Sequence, residues 1–163
     1  MAKANTQQIV SIKDERLDID QIDHYRLSFF ISDYACQLAV KDVRKKRLLL
    51  LEDRSFDPKK SLTDNLEELH KDHILIAAGF WKEIQVFIRN NKFSLVPEPV
   101  FDKSMLYEYV RLNEVTDPQK DFYHFKQINE LGLNIAFGYS EEVKNWFQAK
   151  YPQVGVRFFH QSL

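Results

Sequence analysis

IQVFIRNNKFSLVPEPVFD (residues 84–102) lies near the middle of the chain, and its reading decides the fold. Apolar and polar residues alternate on both sides of Asn90 and Asn91, the period of a half-buried strand. Asparagine tolerates φ > 0 better than most residues, so Asn90–Asn91 is predicted as the two-residue turn of a β-hairpin. That loop sets Ile88 opposite Phe93 and Val86 opposite Leu95, giving one apolar face that a one-residue slip would turn to water. Pro97 and Pro99 have no N–H to donate and end the ladder. Asp102 is then placed to cap a helix from Lys103 onward.

Upstream, period-2 alternation begins at Tyr25: Leu27, Phe29 and Ile31 share one face, and Leu38 and Val40 repeat the pattern. A third run, residues 47–52, is apolar on both sides, as expected of a strand covered on both faces. Short breaks at residues 32–35 and 42–46 make these three an antiparallel meander. A helix follows. Asp57–Pro58 marks the loop, Ser61 is its N-cap with Asp64 three residues on, and Leu62, Leu66, Leu69 and His73 form its apolar stripe. Residues 1–23 are polar and acidic, and are expected to form an arm carrying one edge strand.

Downstream, Met105, Leu106, Tyr109 and Val110 predict a short helix, residues 113–121 a loop turning at Asp117–Pro118, and residues 122–128 a strand. LNIAFGY (residues 133–139) reads as the next strand, entered from a turn at Gly132. Ser140 is the predicted N-cap of a helix with Glu141 and Glu142 in its first turn, where the dipole favours anions. Val143, Trp146, Phe147 and Tyr151 supply its buried stripe, Pro152 ends it, and residues 154–160 form a last strand. If those two strands are parallel in one sheet, their connection is right-handed. The class is α/β (an α+β mixed sheet): a β-β-β meander, helix, hairpin, helix, then β-α-β. That order is the one expected of a ribonuclease H-like layer, with residues 24–163 as one domain.

A chain of 163 residues has the length of one domain and can bury roughly 70% of its unfolded surface. The formal net charge of −1 leaves no global field to draw in nucleic acid or anionic membrane. Cys36 is the sole cysteine, which excludes an internal disulfide and suits a reducing compartment. MAKANTQQ has no apolar leader segment, and the longest apolar run, residues 48–51, is far short of a membrane span, so the expected location is the cytoplasm. Phe29–Phe30 and Phe158–Phe159 are adjacent within predicted strands, so both sheet faces are expected to be covered there. With 13 Phe in the chain, some aromatics are expected to face a second domain or subunit.

Chemistry is sparse. Asp33, at the turn after the first meander strand, is the candidate nucleotide or Mg²⁺ ligand, since a carboxylate there could hold the cation or orient a water. A phosphate loop of the actin-like kind would have Asp-x-Gly and small hydroxyl residues so that backbone N–H groups can approach the anion. This chain reads Asp33-Tyr34-Ala35-Cys36, with no glycine and a bulky tyrosine. His70 and His73 are three apart on the predicted helix, but no third ligand stands at zinc-like spacing, and no metal is expected. Cys36 has no CxxC partner and reads as a buried thiol. KDVRKKR (residues 41–47) falls where the second hairpin turns and reads as a solvated turn protecting the sheet. No GxxxxGK[ST], GxGxxG or GxSxG occurs.

KFSLVPEPVFD (residues 92–102) resembles the signature of a bacterial protein family of unknown function. YRLSFFIS, LLLLEDRSF, LNIAFGYS and EEVKNWFQAKYP extend the resemblance over about residues 20–160. It implies an actin-like ATPase fold built on ribonuclease H-like layers, with this chain as the N-terminal half of a longer two-half protein. The second phosphate loop and the adenosine pocket would lie beyond Leu163. With the first phosphate loop lacking its glycine, the expectation is a non-enzymatic protein with a degenerate nucleotide site, no cofactor and no catalytic residue. Its expected partner is a protein or the second half of the same fold, with a homo-oligomer as another arrangement. The alternative is an ATPase or nucleotide-dependent switch using ATP and Mg²⁺ near Asp33. A ribonuclease H-like nuclease is a third option, and it needs several converging carboxylates.

Overall fold

The structure is a computed structural model that describes residues 9–162. Its strands are β1 (Ile9–Lys13), β2 (Tyr25–Ile31), β3 (Ala35–Asp42), β4 (Arg47–Ser55), β5 (Glu83–Ile88), β6 (Phe93–Pro97), β7 (Asp121–Ile128), β8 (Leu133–Ser140) and β9 (Val156–His160). Its helices are α1 (Leu62–Asp72), α2 (Ile74–Ala77), α3 (Leu106–Arg111) and α4 (Glu141–Lys150). One sheet has the order β1-β4-β3-β2-β5-β9, and a second has the order β6-β8-β7. The meander β2-β3-β4 pairs antiparallel as read, while β5 and β9 run parallel to β2.

The core lies on one face of the larger sheet. Leu27, Phe29, Ile31, Leu38, Val40, Ile84 and Val86 point there and meet Leu66 and Leu69 of α1 and Val143 and Phe147 of α4. Phe29 is fully buried and meets Phe147 edge-on, with ring centroids 4.9 Å apart. Topology fixes that choice of face. The connections β4-α1-β5 and β5-α4-β9 both step the same way across the sheet between parallel strands. Right-handed crossovers therefore set α1 and α4 on the same side. α3 packs on the smaller sheet. The opposite face of the larger sheet receives no described helix.

The central hairpin does not form. β5 joins β2 and β9, whereas β6 joins β8 in the other sheet, so residues 89–92 are a crossing between sheets. A type I′ turn needs φ > 0 at both central residues, yet among the described residues only Lys46 and Gly132 have positive φ. Asn90 instead spends its side chain on the crossing: its Oδ1 accepts from the Lys92 amide at 3.0 Å and its Nδ2 donates to the Gly138 carbonyl at 2.8 Å. β6 turns Ser94 and Val96 inward and leaves Leu95 55% exposed, the reverse of the facing set by a Val86–Leu95 pair. The condition for a crossover at the end is not met, because the two strands of that β-α-β, β8 and β9, belong to different sheets.

Two further expectations change. β4 is not covered on both faces: a bulge opposite Val40 and Lys41 gives Leu49 no partner, so Leu49 and Leu50 are both buried while Leu48 and Leu51 are exposed. Phe30, Phe87 and Phe159 lie on that same open face. They stack in a row with centroid spacings of 4.7 and 5.2 Å, outside the core cluster. The Ser61 cap forms as read, its Oγ accepting from the Asp64 amide at 3.0 Å, whereas Ser140 makes no side-chain cap bond. Of the arm expected over residues 1–23, residues 1–8 lie outside the described residues. The rest holds edge strand β1, paired to β4, and a 3₁₀ turn at Ile19–His24. No described helix is long and apolar enough to cross a membrane.

Candidate functional site

β2 and β5 lie side by side and parallel, and their carboxyl ends open into a cleft, the position where open α/β sheets take ligands. Its larger lobe, about 700 Å³, is lined by Ser32, Asp33 and Tyr34 from the β2–β3 turn, by residues 89–92 of the crossing, and by Glu114. Asp33 thus stands where the sequence placed it, exposed at the mouth of this cleft. Tyr34 is 74% exposed and stands on the rim rather than filling the space.

The β2–β3 turn is closed on itself. Ser32 donates its amide to the Ala35 carbonyl at 3.0 Å. Ser32 Oγ accepts the amides of Ala35 at 3.2 Å and Tyr34 at 3.4 Å, the groups that would otherwise face an anion. The Tyr34 carbonyl accepts from the Phe56 amide at 2.8 Å, which pins the turn to the chain leaving β4.

The other wall is held by buried polar groups. Asp121 is 8% exposed and accepts from Lys92 Nζ at 2.7 Å, Thr116 Oγ1 at 2.6 Å and the Asp117 amide at 3.1 Å. Burial would raise its pKa, but the Lys92 and Thr116 hydrogen bonds outweigh burial and hold the carboxyl below its ordinary value. Beneath the crossing, His160 Nε2 donates to the Asn90 carbonyl at 3.0 Å, and its ring stacks on Phe93 at 4.3 Å. Burial keeps this imidazole below its usual pKa. Arg89, Asn90 and Lys92 were missed as cleft residues because they were read as part of a hairpin, with Asn90–Asn91 as its turn. The usable signal was their position just past the end of β5.

The remaining candidates have structural employment. His73 is buried, its Nε2 lies 3.4 Å from Glu52 Oε2, and its Nδ1 accepts from the Ile76 amide at 3.4 Å as the cap of α2. His70 instead meets Trp146 and Tyr151 edge-on. Among the described residues no three of His, Cys, Asp and Glu converge on a common point, so the carboxylates a nuclease would need are not assembled around Asp33. Cys36 is fully buried, and burial pushes its thiol far up. The basic stretch is the β3–β4 turn, with Asp42 Oδ1 accepting the Arg44 and Lys45 amides at 2.9 Å each.

This architecture is that of an actin-like ATPase fold. A solved structure from Bacteroides thetaiotaomicron VPI-5482, described as a protein with actin-like ATPase fold and unknown function, matches it with a TM-score of 0.81 at 18% identity. The match covers 90% of this chain and 55% of that one, so this chain spans about half the length of the neighbour. Residues 14–163 match the family described as Protein of unknown function (DUF3822), and the chain belongs to that family. No curated protein matches.

Proposed function

We propose that this chain is one half of an actin-like-fold protein that works through protein–protein contact, with a degenerate nucleotide site. The observation that carries this reading is the open face of the larger sheet. There Phe30, Phe87 and Phe159 stack in a row, and Ile12, Leu48 and Leu51 are 66, 52 and 41% exposed. An apolar sheet face of this kind is covered in a working protein. Its occupant is another protein surface, the companion half of the fold, because the similar solved chain continues well beyond the matched part. Arg26, Glu83 and Arg157 form a paired cluster on the same face, which suits a protein better than an anionic membrane. The degenerate site is supported by Ser32: its hydroxyl occupies the Tyr34 and Ala35 amides, so the residues present do not build an anion cradle.

In the absence of a companion, a second copy takes its place. Sedimentation velocity over a concentration series is expected to show self-association that Phe87→Lys reduces, with an unchanged circular dichroism spectrum. A chain that is monomeric throughout, or an association indifferent to Phe87→Lys, would overturn this reading. The second reading, an ATPase or switch, is favoured by one observation: Arg89 and Lys92 stand in the cleft beside Asp33. It requires that Asp33→Ala weaken Mg-ATP binding.

A further inference from the structure

A groove of about 390 Å³ runs between the free edge of β9 and the face of β7, away from the Asp33 cleft. β9 contributes four consecutive residues to its wall, Val156 to Phe159, as a strand edge does. β7 contributes alternate residues, Phe122, His124 and Lys126, as a strand face does. β9 is the last strand of its sheet and, among the described residues, has no neighbour beyond it. The Gln161 amide bonds to the Ile88 carbonyl on the β5 side, at 2.8 Å. Backbone groups alternate sides along a parallel strand, so Phe159 and Arg157 also turn to β5, and Phe158 and Val156 present theirs to the groove. Unpaired strand edges of this kind template an added strand.

The chemistry of the walls narrows what could be added. Lys126, Lys144 and Arg157 line the groove, and among the described residues no Asp or Glu does. Lys126 and Lys144 have no ion-pair partner among the described residues, while Arg157 also pairs with Glu83. Lys144 Nζ lies 3.9 Å from the centroid of the Phe122 ring, and Tyr139 stacks on Phe158 at 4.8 Å, giving the floor an aromatic lining. We propose that this groove binds an extended acidic segment of a partner protein, which adds as a strand to β9. Its backbone bonds to the Val156 and Phe158 edge, its apolar side chains rest on the aromatic floor, and its carboxylates meet Lys126 and Lys144. An alternating acidic and apolar strand fits both demands, since its side chains point to opposite sides. This site is distinct from the open-face contact proposed above, meeting it only along β9, at Arg157 and Phe159.

The test is fluorescence anisotropy with a labelled eight-residue peptide alternating glutamate and valine, titrated with the whole chain. Saturable binding is expected. It should weaken about tenfold in the double variant Lys126→Glu/Lys144→Glu, as reversal of two rim charges implies. N-methylation of alternate peptide amides should abolish it, because the added strand then loses its ladder. Phe87→Lys, on the open face, should leave it unchanged, which separates this proposal from the previous one. Lys126 is exposed and Lys144 half-buried, and circular dichroism checks that the variant is folded. Equal binding of a lysine–valine peptide, tighter binding of a single-stranded oligonucleotide, indifference to N-methylation, or no binding at all would each overturn the proposal.

Discussion

Replacing Asn90 and Asn91 separates a crossing between two sheets from a hairpin, because the two arrangements give opposite signs. In the crossing, Asn90→Ala removes two part-buried hydrogen bonds, to the Lys92 amide at 3.0 Å and the Gly138 carbonyl at 2.8 Å. Each is worth about 1 kcal/mol net, and the stranded carbonyl adds part of a desolvation penalty, for a total of about 2–3 kcal/mol. For a chain of this size that lowers Tm by roughly 5–10 °C. Asn91→Gly is the sharper change. A type I′ hairpin turn favours Asn-Gly above other pairs, so a hairpin would gain stability from it. Here Asn91 does not have positive φ, so glycine only adds unfolded-state freedom and costs about 0.5–1 kcal/mol. Urea unfolding followed by the fluorescence of Trp81 and Trp146 reads both variants. A stabilised Asn91→Gly, or an Asn90→Ala indistinguishable from the parent, would refute the reasoning.

Asp121 makes the chain acid-sensitive. Its folded pKa is held below the ordinary carboxylate value, so its contribution is present above about pH 4 and is lost as pH falls through the lower folded value. Asp121→Asn should therefore destabilise at pH 7 and flatten the acid limb of a urea-midpoint profile, while a parallel offset at every pH would contradict it. Phe29→Ala, at the fully buried contact with Phe147, should cost about 3–5 kcal/mol, read by the same unfolding experiment. Cys36 should resist a thiol reagent in the native protein and react promptly in urea, since burial disfavours its thiolate. Fast native labelling would contradict its place in the core.

The parts of the fold that were legible in the sequence are those set by neighbours along the chain. The meander follows from period-2 runs with short breaks, and the α1 cap follows from Ser61 and Asp64. Illegible were features decided by distant partners. Asn90–Asn91 has the composition of a tight turn, but β5 pairs with β2 and β9 rather than with β6, and tertiary pairing overrides turn preference. The β4 bulge depends on one unpaired residue, Leu49, in a run of four leucines that carries no periodic signal. At the site, Asp33 was placed correctly at a strand end. Ser32 was not singled out, because its role depends on where its hydroxyl points within the turn. The β9 groove could not be read at all, since Lys126 and Lys144 meet there only through the packing of β7, α4 and β9.

We propose that this fold carries contact rather than nucleotide. Calorimetric titration of Mg-ATP into this chain, and into a full-length member of its family, tests it most directly. No saturable heat is expected in either, with both proteins folded. Saturable binding by either, weakened by Asp33→Ala, would contradict it and restore the ATPase reading.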